Sequence, residues 1–193
     1  MSLVRIQVVE FKILFVMVES FYGETLNSST TGHLYSYAQS IQNWQTIKQD
    51  YMGKNYQSVM AHKVPKGNEI EKYVVRTFLT FNKLYFNYDL VGTFETQILK
   101  YNVHDGYDWH CDYGVSENPN AVRKLSMIIQ LSDMWDYNGA NVFLRDWHNR
   151  EHMLSKESGY VTVFDSRSPH RVSPLAIGER YSLVAWAHGP EWR

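Results

Sequence analysis

One cysteine, Cys111, stands among the 193 residues. That scarcity excludes an intramolecular disulfide framework and any cysteine-rich zinc or iron–sulfur site. It fits a reducing cytoplasm, the compartment expected for the chain. Long hydrophobic runs are also missing. The most apolar stretch near the N-terminus, Ile13 to Val18, has Arg5, Glu10, Lys12 and Glu19 close around it. It is too short to span a bilayer and lacks the basic-then-apolar order of a signal peptide, so it reads as a buried strand. The net charge is only −1. Without a basic stripe, neither nucleic acid nor a membrane surface is an expected partner. Internal repeats and low-complexity tracts are absent too.

Aromatic residues are plentiful: six Trp, fourteen Tyr and nine Phe. With 44% apolar and 20% charged residues, the chain is expected to fold as one globular domain, residues 1–193, large enough to bury a core. Thr25 to Thr31 is polar and reads as a loop. Leu34 to Tyr51 carries apolar residues near helical spacing, and an amphipathic helix is predicted there. Lys63 to Asn68 reads as a turn. Strands are predicted over Lys72–Phe81, Lys83–Leu90, Thr93–Tyr101, Tyr107–Asp112 and Lys124–Leu131. Shorter ones follow over Asn141–Leu144, His152–Leu154, Tyr160–Asp165 and Arg180–Ala187. Asn138-Gly139 is a hairpin signal, and Lys156 to Gly159 is a second turn. So many short strands suggest a mainly β (α+β) sandwich or barrel with an N-terminal helical support.

Three residues could carry chemistry: His110 and Asp112 in DWHCD, and His170 in RSPHRV. On a strand, His110 and Asp112 share a face, and Cys111 points away. A histidine from another strand completes a two-histidine, one-carboxylate set, which suits non-haem Fe(II). It leaves positions open for a bidentate oxoacid and for O₂. His-x-Asp alone is common by chance, and its plainer reading is the polar face of a surface strand. Arg180 adds to the pattern. It begins RYSLVAW ten residues after His170 and shares a strand face with Ser182. An arginine facing a barrel interior is costly unless an anion pairs with it, and guanidinium can bind a carboxylate through two parallel hydrogen bonds. Its plainer reading is a surface ion pair.

The blocks YNVHDGYDWHCD, RKLSMIIQLSD, YNGANVFL and GYVTVFDSRSPHRVSPLAIGERYSLVAW resemble the 2-oxoglutarate/Fe(II) oxygenases, specifically the prolyl 4-hydroxylase-like and PKHD-type hydroxylases. They run roughly from Glu95 to Trp186, in the family's order. The resemblance implies a double-stranded β-helix, the jelly-roll or cupin-like barrel, with residues 84–193 as catalytic core and 1–83 as supporting region. It implies iron ligands at His110, Asp112 and His170, and Arg180 on the far carboxylate of 2-oxoglutarate. Tyr101 would donate to the same carboxylate, and Ser182 fits the arginine-x-serine form of some relatives. Gln130, in register with Ser126 and Ile128, is expected to touch the oxoacid. Ala140 replaces a second glycine common in the family, and Asp165 replaces a common proline.

The implied reaction hydroxylates a C–H bond while 2-oxoglutarate becomes succinate and CO₂, with ascorbate as reductant. A peptidyl residue such as proline is the expected substrate; a free amino acid or small metabolite is the alternative. Two other classes stay open: an inactive barrel that only binds, and a cupin-like metalloprotein holding zinc or manganese without an oxoacid. The loop Tyr113 to Val122 is read as a connection that could serve as a lid. Oligomeric state is not legible.

Overall fold

A computed structural model describes residues 21–52, 54–92, 94–114 and 121–192. The strand expected over Ile13–Val18 lies outside the described residues, as does most of the loop proposed as a lid. The chain begins with β1 (Phe21–Thr25) and α1 (Ser28–Ser40), followed by β2 (Gln45–Tyr51), β3 (Lys54–Lys63) and α2 (Glu69–Phe81). A π-helical turn, Asn82–Phe86, leads into β4 (Phe94–Tyr101), β5 (Gly106–His110), β6 (Val122–Gln130), β7 (Tyr137–Gly139) and β8 (Val142–Arg145). The last strands are β9 (Glu151–Met153), β10 (Tyr160–Asp165), β11 (His170–Val172), β12 (Leu175–Gly178) and β13 (Arg180–Gly189).

Eleven strands form one curled antiparallel sheet in the order β1-β10-β6-β13-β4-β3-β5-β11-β8-β9, with β2 on β3. Strands β7 and β12 close one end as a separate pair. This is the mainly β jelly roll that the sequence predicts. Among the described residues no helix is long and apolar enough to cross a membrane.

Strict alternation builds two apolar layers, one on each face of the broad part of the sheet. Leu125, Met127 and Ile129 of β6, with Leu183, Ala185 and Ala187 of β13, pack against the two helices. Ile128, Val184 and Phe164 face the barrel interior with Val142, Leu144 and Val172 from the opposite wall. These central strands are covered on both faces and so read as nearly continuous apolar runs.

The helices differ from the sequence expectation. Helix α1 starts earlier than Leu34 because Asn27 caps it, its side chain accepting from the Thr30 N–H at 2.9 Å. It ends by Ser40; the second half of the predicted helix is instead β2, paired along β3. The segment Lys72–Phe81, predicted as a strand, lies in α2. Asn68 caps α2 by accepting from the Ile70 N–H at 2.8 Å, and Glu69 and Glu71 complement the dipole in its first turn. Its buried residues, Ile70, Val74, Thr77, Phe78 and Phe81, recur with helical spacing. Tertiary burial therefore overrides the β-branched and aromatic propensity. Lys83–Leu90, also predicted as strand, holds the π-helical turn and irregular chain.

Phe78 is fully buried in this layer. Phe78→Ala is expected to cost about 3–5 kcal/mol, read as a lower urea midpoint at unchanged slope.

Asn138-Gly139 does not form the expected hairpin turn: both residues lie within β7, which pairs with β12 rather than with β8. Gly139 has φ +87°, and a Cβ there would clash with the Pro174 carbonyl oxygen. Ala140, where the resembled family commonly has glycine, also adopts positive φ, at 43°.

Candidate metal and oxoacid site

Strand pairing brings the distant histidine to the dyad. His170 of β11 lies directly opposite His110 of β5. Strand β5 ends at His110, so Asp112 follows the strand rather than lying within it. Its position is set by the backbone N–H groups of Asp112 and Tyr113, which both donate to the Ser166 carbonyl at 2.9 Å. The two imidazoles and the carboxylate still converge, with ligand atoms all within 4.8 Å of one another. Asp112 Oδ1 is 3.8 Å from His110 Nε2, and Oδ2 is 3.5 Å from His170 Nε2.

Each histidine is oriented through its other nitrogen. His110 Nδ1 is 2.7 Å from the Asp108 carbonyl and His170 Nδ1 is 3.1 Å from that of Ser168. A carbonyl can only accept, so both Nδ1 atoms carry the proton and both Nε2 lone pairs face inward. Burial, together with neighbouring His170, pushes the His110 imidazole down to about 4. Burial alone would raise the Asp112 carboxyl, but His170 and His110 outweigh it and hold it below its ordinary value. The Ser126 hydroxyl donates to Asp112 Oδ2 at 2.7 Å. At neutral pH, His110 is thus neutral and Asp112 ionised, the protonation states a divalent cation requires.

The ligand atoms line a cavity of about 590 Å³, its open mouth included, that is also lined by Tyr101, Arg180 and Ser182. Arg180 is 1% exposed. Its Nε and Nη2 donate to Gln130 Oε1 at 3.0 and 2.8 Å, while Nη1 has no partner. Among the described residues no carboxylate lies within ion-pair distance of it. Ser182 Oγ, on the same strand face, is buried and unpartnered as well. Tyr101 is opposite Arg180 across β13 and β4, its ring centroid 5.1 Å from the guanidinium carbon. Burial raises the Tyr101 phenol further than Arg180 lowers it, so the hydroxyl stays protonated. Gln130 is buried and accepts from Arg180 itself. Gln130 takes the Nε/Nη2 edge of the guanidinium, which leaves the end-on edge, Nη1 and the second N–H of Nη2, for a carboxylate.

Several contributors were not singled out in the sequence. Tyr107 stacks on His110 with ring centroids 3.4 Å apart. Trp186 lines the cavity beneath the Arg123 guanidinium, 3.9 Å away, and Arg123 is paired with Glu95 at 2.5 Å. The alternation that points Ser126 and Ser182 inward was sufficient to find Ser126 and Trp186. For Tyr107, in the same strand run as His110, period-two alternation gives no signal.

Residues 96–188, just under half the chain, match the model of the 2OG-Fe(II) oxygenase superfamily. This segment belongs to that superfamily. The oxygenase segment is also similar to PKHD-type hydroxylases. One from Psychrobacter sp. (strain PRwf-1) is 28% identical over 90 residues, covering 45% of this chain and 34% of the relative. Another, from Synechococcus sp. (strain CC9902), is 32% identical over 89 residues, covering 46% and 39%. The chain thus spans well under two thirds of the length of these curated relatives.

In fold, the chain resembles the crystal structure of a Pseudomonas putida prolyl-4-hydroxylase. The TM-score is 0.73 at 18% identity, over 89% of this chain and 94% of that one. It also resembles a Trichoplax adhaerens prolyl hydroxylase in complex with a hypoxia inducible factor peptide fragment. There the TM-score is 0.66 at 18% identity, over 88% and 83%. At such identities these likenesses speak for the fold alone.

Proposed function

We propose that the chain is an Fe(II)- and 2-oxoglutarate-dependent dioxygenase that hydroxylates a C–H bond. The observation that carries this reading is the pairing, in one cavity, of a His₂Asp cluster with a buried guanidinium that has no counter-anion. A buried, unpaired cation is costly, and a ligand carboxylate would relieve it. In this reading His110, Asp112 and His170 hold the metal. Arg180 Nη1, Tyr101 and Ser182 take the far carboxylate of the oxoacid, and Gln130 holds the guanidinium in place. Bound Fe(II) would supply the O₂ activation that couples decarboxylation of 2-oxoglutarate, to succinate and CO₂, with hydroxylation of the substrate. The apolar wall of Ile128, Val142, Val172 and Val184 excludes water from that chemistry.

For the substrate we favour a peptidyl residue such as proline. The support is the resemblance to PKHD-type and prolyl 4-hydroxylase-like enzymes, including a neighbour in fold that holds a peptide fragment. We read residues 1–193 as one domain, with 84–193 as catalytic core. The region 1–83 contributes strands β1 to β3 to the sheet as well as the supporting helices. Ascorbate is the proposed reductant, and a reducing cytoplasm the proposed compartment.

The test is succinate formation from 2-oxoglutarate by anaerobically iron-loaded protein, started with O₂ in the presence of ascorbate. Iron-dependent succinate, lost in His170→Ala, is the expected result. Proline-containing peptides should stimulate it more than free amino acids. Absence of both succinate formation and 2-oxoglutarate binding would sink the proposal and favour an inactive barrel.

A further inference from the structure

The turn between β10 and β11 supports two of the three cluster residues, Asp112 and His170. The Ser166 carbonyl accepts from the Asp112 and Tyr113 N–H groups at 2.9 Å. The Ser166 hydroxyl is 2.9 Å from that of Ser126, which donates to Asp112. The Ser168 carbonyl orients the His170 ring, and the Arg167 carbonyl accepts from the Cys111 thiol at 3.2 Å. A shift of this turn would therefore displace Asp112 and His170 together.

What fixes the turn is Asp165, the last residue of β10, which is 1% exposed. Its carboxylate accepts from the Arg167 N–H at 2.8 Å, Arg167 Nε at 2.9 Å and Arg167 Nη2 at 2.6 Å. A fourth bond, 2.6 Å, comes from the Tyr88 hydroxyl, far away in sequence. The Asp165 carbonyl accepts from the Ser168 N–H at 2.9 Å, closing the turn on itself. The Arg167 guanidinium in turn lies 4.1 Å over the ring of Trp192, which also stacks edge-on with Tyr88. None of these groups lines the cavity. Three bonds to one arginine would suffice for a surface turn; burial and the added Tyr88 bond make this a rigid lock.

We propose that Asp165 is a positioning residue for the metal site, locking the turn that holds Asp112 through Ser166 and His170 through Ser168. The proposal rests on the reading of His110, Asp112 and His170 as metal ligands. Partners that orient metal ligands typically change affinity by about 10- to 100-fold when removed.

The experiment is a Co(II) titration of the metal-free full chain, followed by its visible absorption and run beside a thermal melt. Wild type is expected to bind one Co(II). Asp165→Ala should raise the Kd for Co(II) by about 10- to 100-fold and alter the absorption bands. Tyr88→Phe, which removes one bond and no bulk, should raise it by about threefold, in proportion to its share of the lock. Should Asp165→Ala not fold, Tyr88→Phe decides alone. Variants that melt lower yet bind Co(II) with wild-type affinity and spectrum would make Asp165 a stabiliser only and overturn the proposal. No Co(II) binding by wild type would instead remove the ligand reading itself, and this proposal with it.

Discussion

Asp112→Ala is expected to abolish iron-dependent turnover, by at least about a thousandfold, or about 4 kcal/mol at roughly 1.4 kcal/mol per decade. The reason is geometric. Asp112 is the only carboxylate in the cluster, and its two oxygens face the Nε2 atoms of His110 and His170 at 3.8 and 3.5 Å. Two imidazoles alone supply no negative charge to offset a divalent cation in a buried site. The fold, by contrast, should survive. Removing Asp112 leaves Ser126 with its Ser166 partner, and it removes a buried charge rather than stranding one. The backbone N–H of residue 112 can still donate to Ser166. Metal affinity measured by titration should collapse while the melting temperature of the metal-free protein moves little. Retained metal-dependent succinate formation would refute the ligand assignment.

The C-terminal half of the barrel was legible because its strands obey one period. Ser126, Ile128 and Gln130 alternate inward against Leu125, Met127 and Ile129, and the same rule puts Arg180, Ser182, Val184 and Trp186 on the cavity side. Their interior position follows from β geometry alone. The N-terminal half resisted for a physical reason. Tyr73, Val74, Val75 and Phe78 favour strands locally, and it is the burial of Ile70, Val74, Thr77, Phe78 and Phe81 on one helical face that makes α2 a helix. Conversely Gln45–Tyr51 has the polar-apolar mixture of an amphipathic helix, yet it pairs with β3 because that strand offers a ladder. Strand β11 has only three residues, too few for any periodic signal, although it carries His170.

The site shows the same division. Which residues are present was legible; how they are supported was not. Asp112 comes from a residue just after the strand, placed by the Ser166 carbonyl. Backbone carbonyls set the tautomers of both histidines, and a carbonyl belongs to every residue, so no residue type announces it. The role of Gln130 depends on a side chain reaching another side chain across β6 and β13, where the register pairs it with Ser182. Inward orientation alone left open whether it met the ligand or the arginine.

That placement of Gln130 sets the expected behaviour of Arg180. Nε and one N–H of Nη2 are already engaged, so a ligand carboxylate would meet the end-on edge, Nη1 and the free N–H of Nη2, with hydroxyls from Ser182 and Tyr101 beside it. Arg180→Ala is expected to raise the Kd for 2-oxoglutarate by about 100-fold or more, or about 3 kcal/mol. It also strands Gln130 Oε1 in a buried place, which should cost about 1–3 kcal/mol of stability. Metal binding should be unchanged, since Arg180 touches none of the three ligands. Arg180→Lys sharpens the test. A lysine cannot reproduce a bidentate fork, and if the carboxylate used such a fork the lysine variant should fare nearly as badly as alanine. If the carboxylate instead meets Nη1 alone, a point charge recovers most of the attraction, and the loss should be only about tenfold. Titration of the metal-loaded variants with 2-oxoglutarate under nitrogen would read both numbers. Equal losses for lysine and alanine would mean that the end-on edge of the guanidinium holds the oxoacid through two bonds, and wild-type affinity in Arg180→Ala would remove Arg180 from the site.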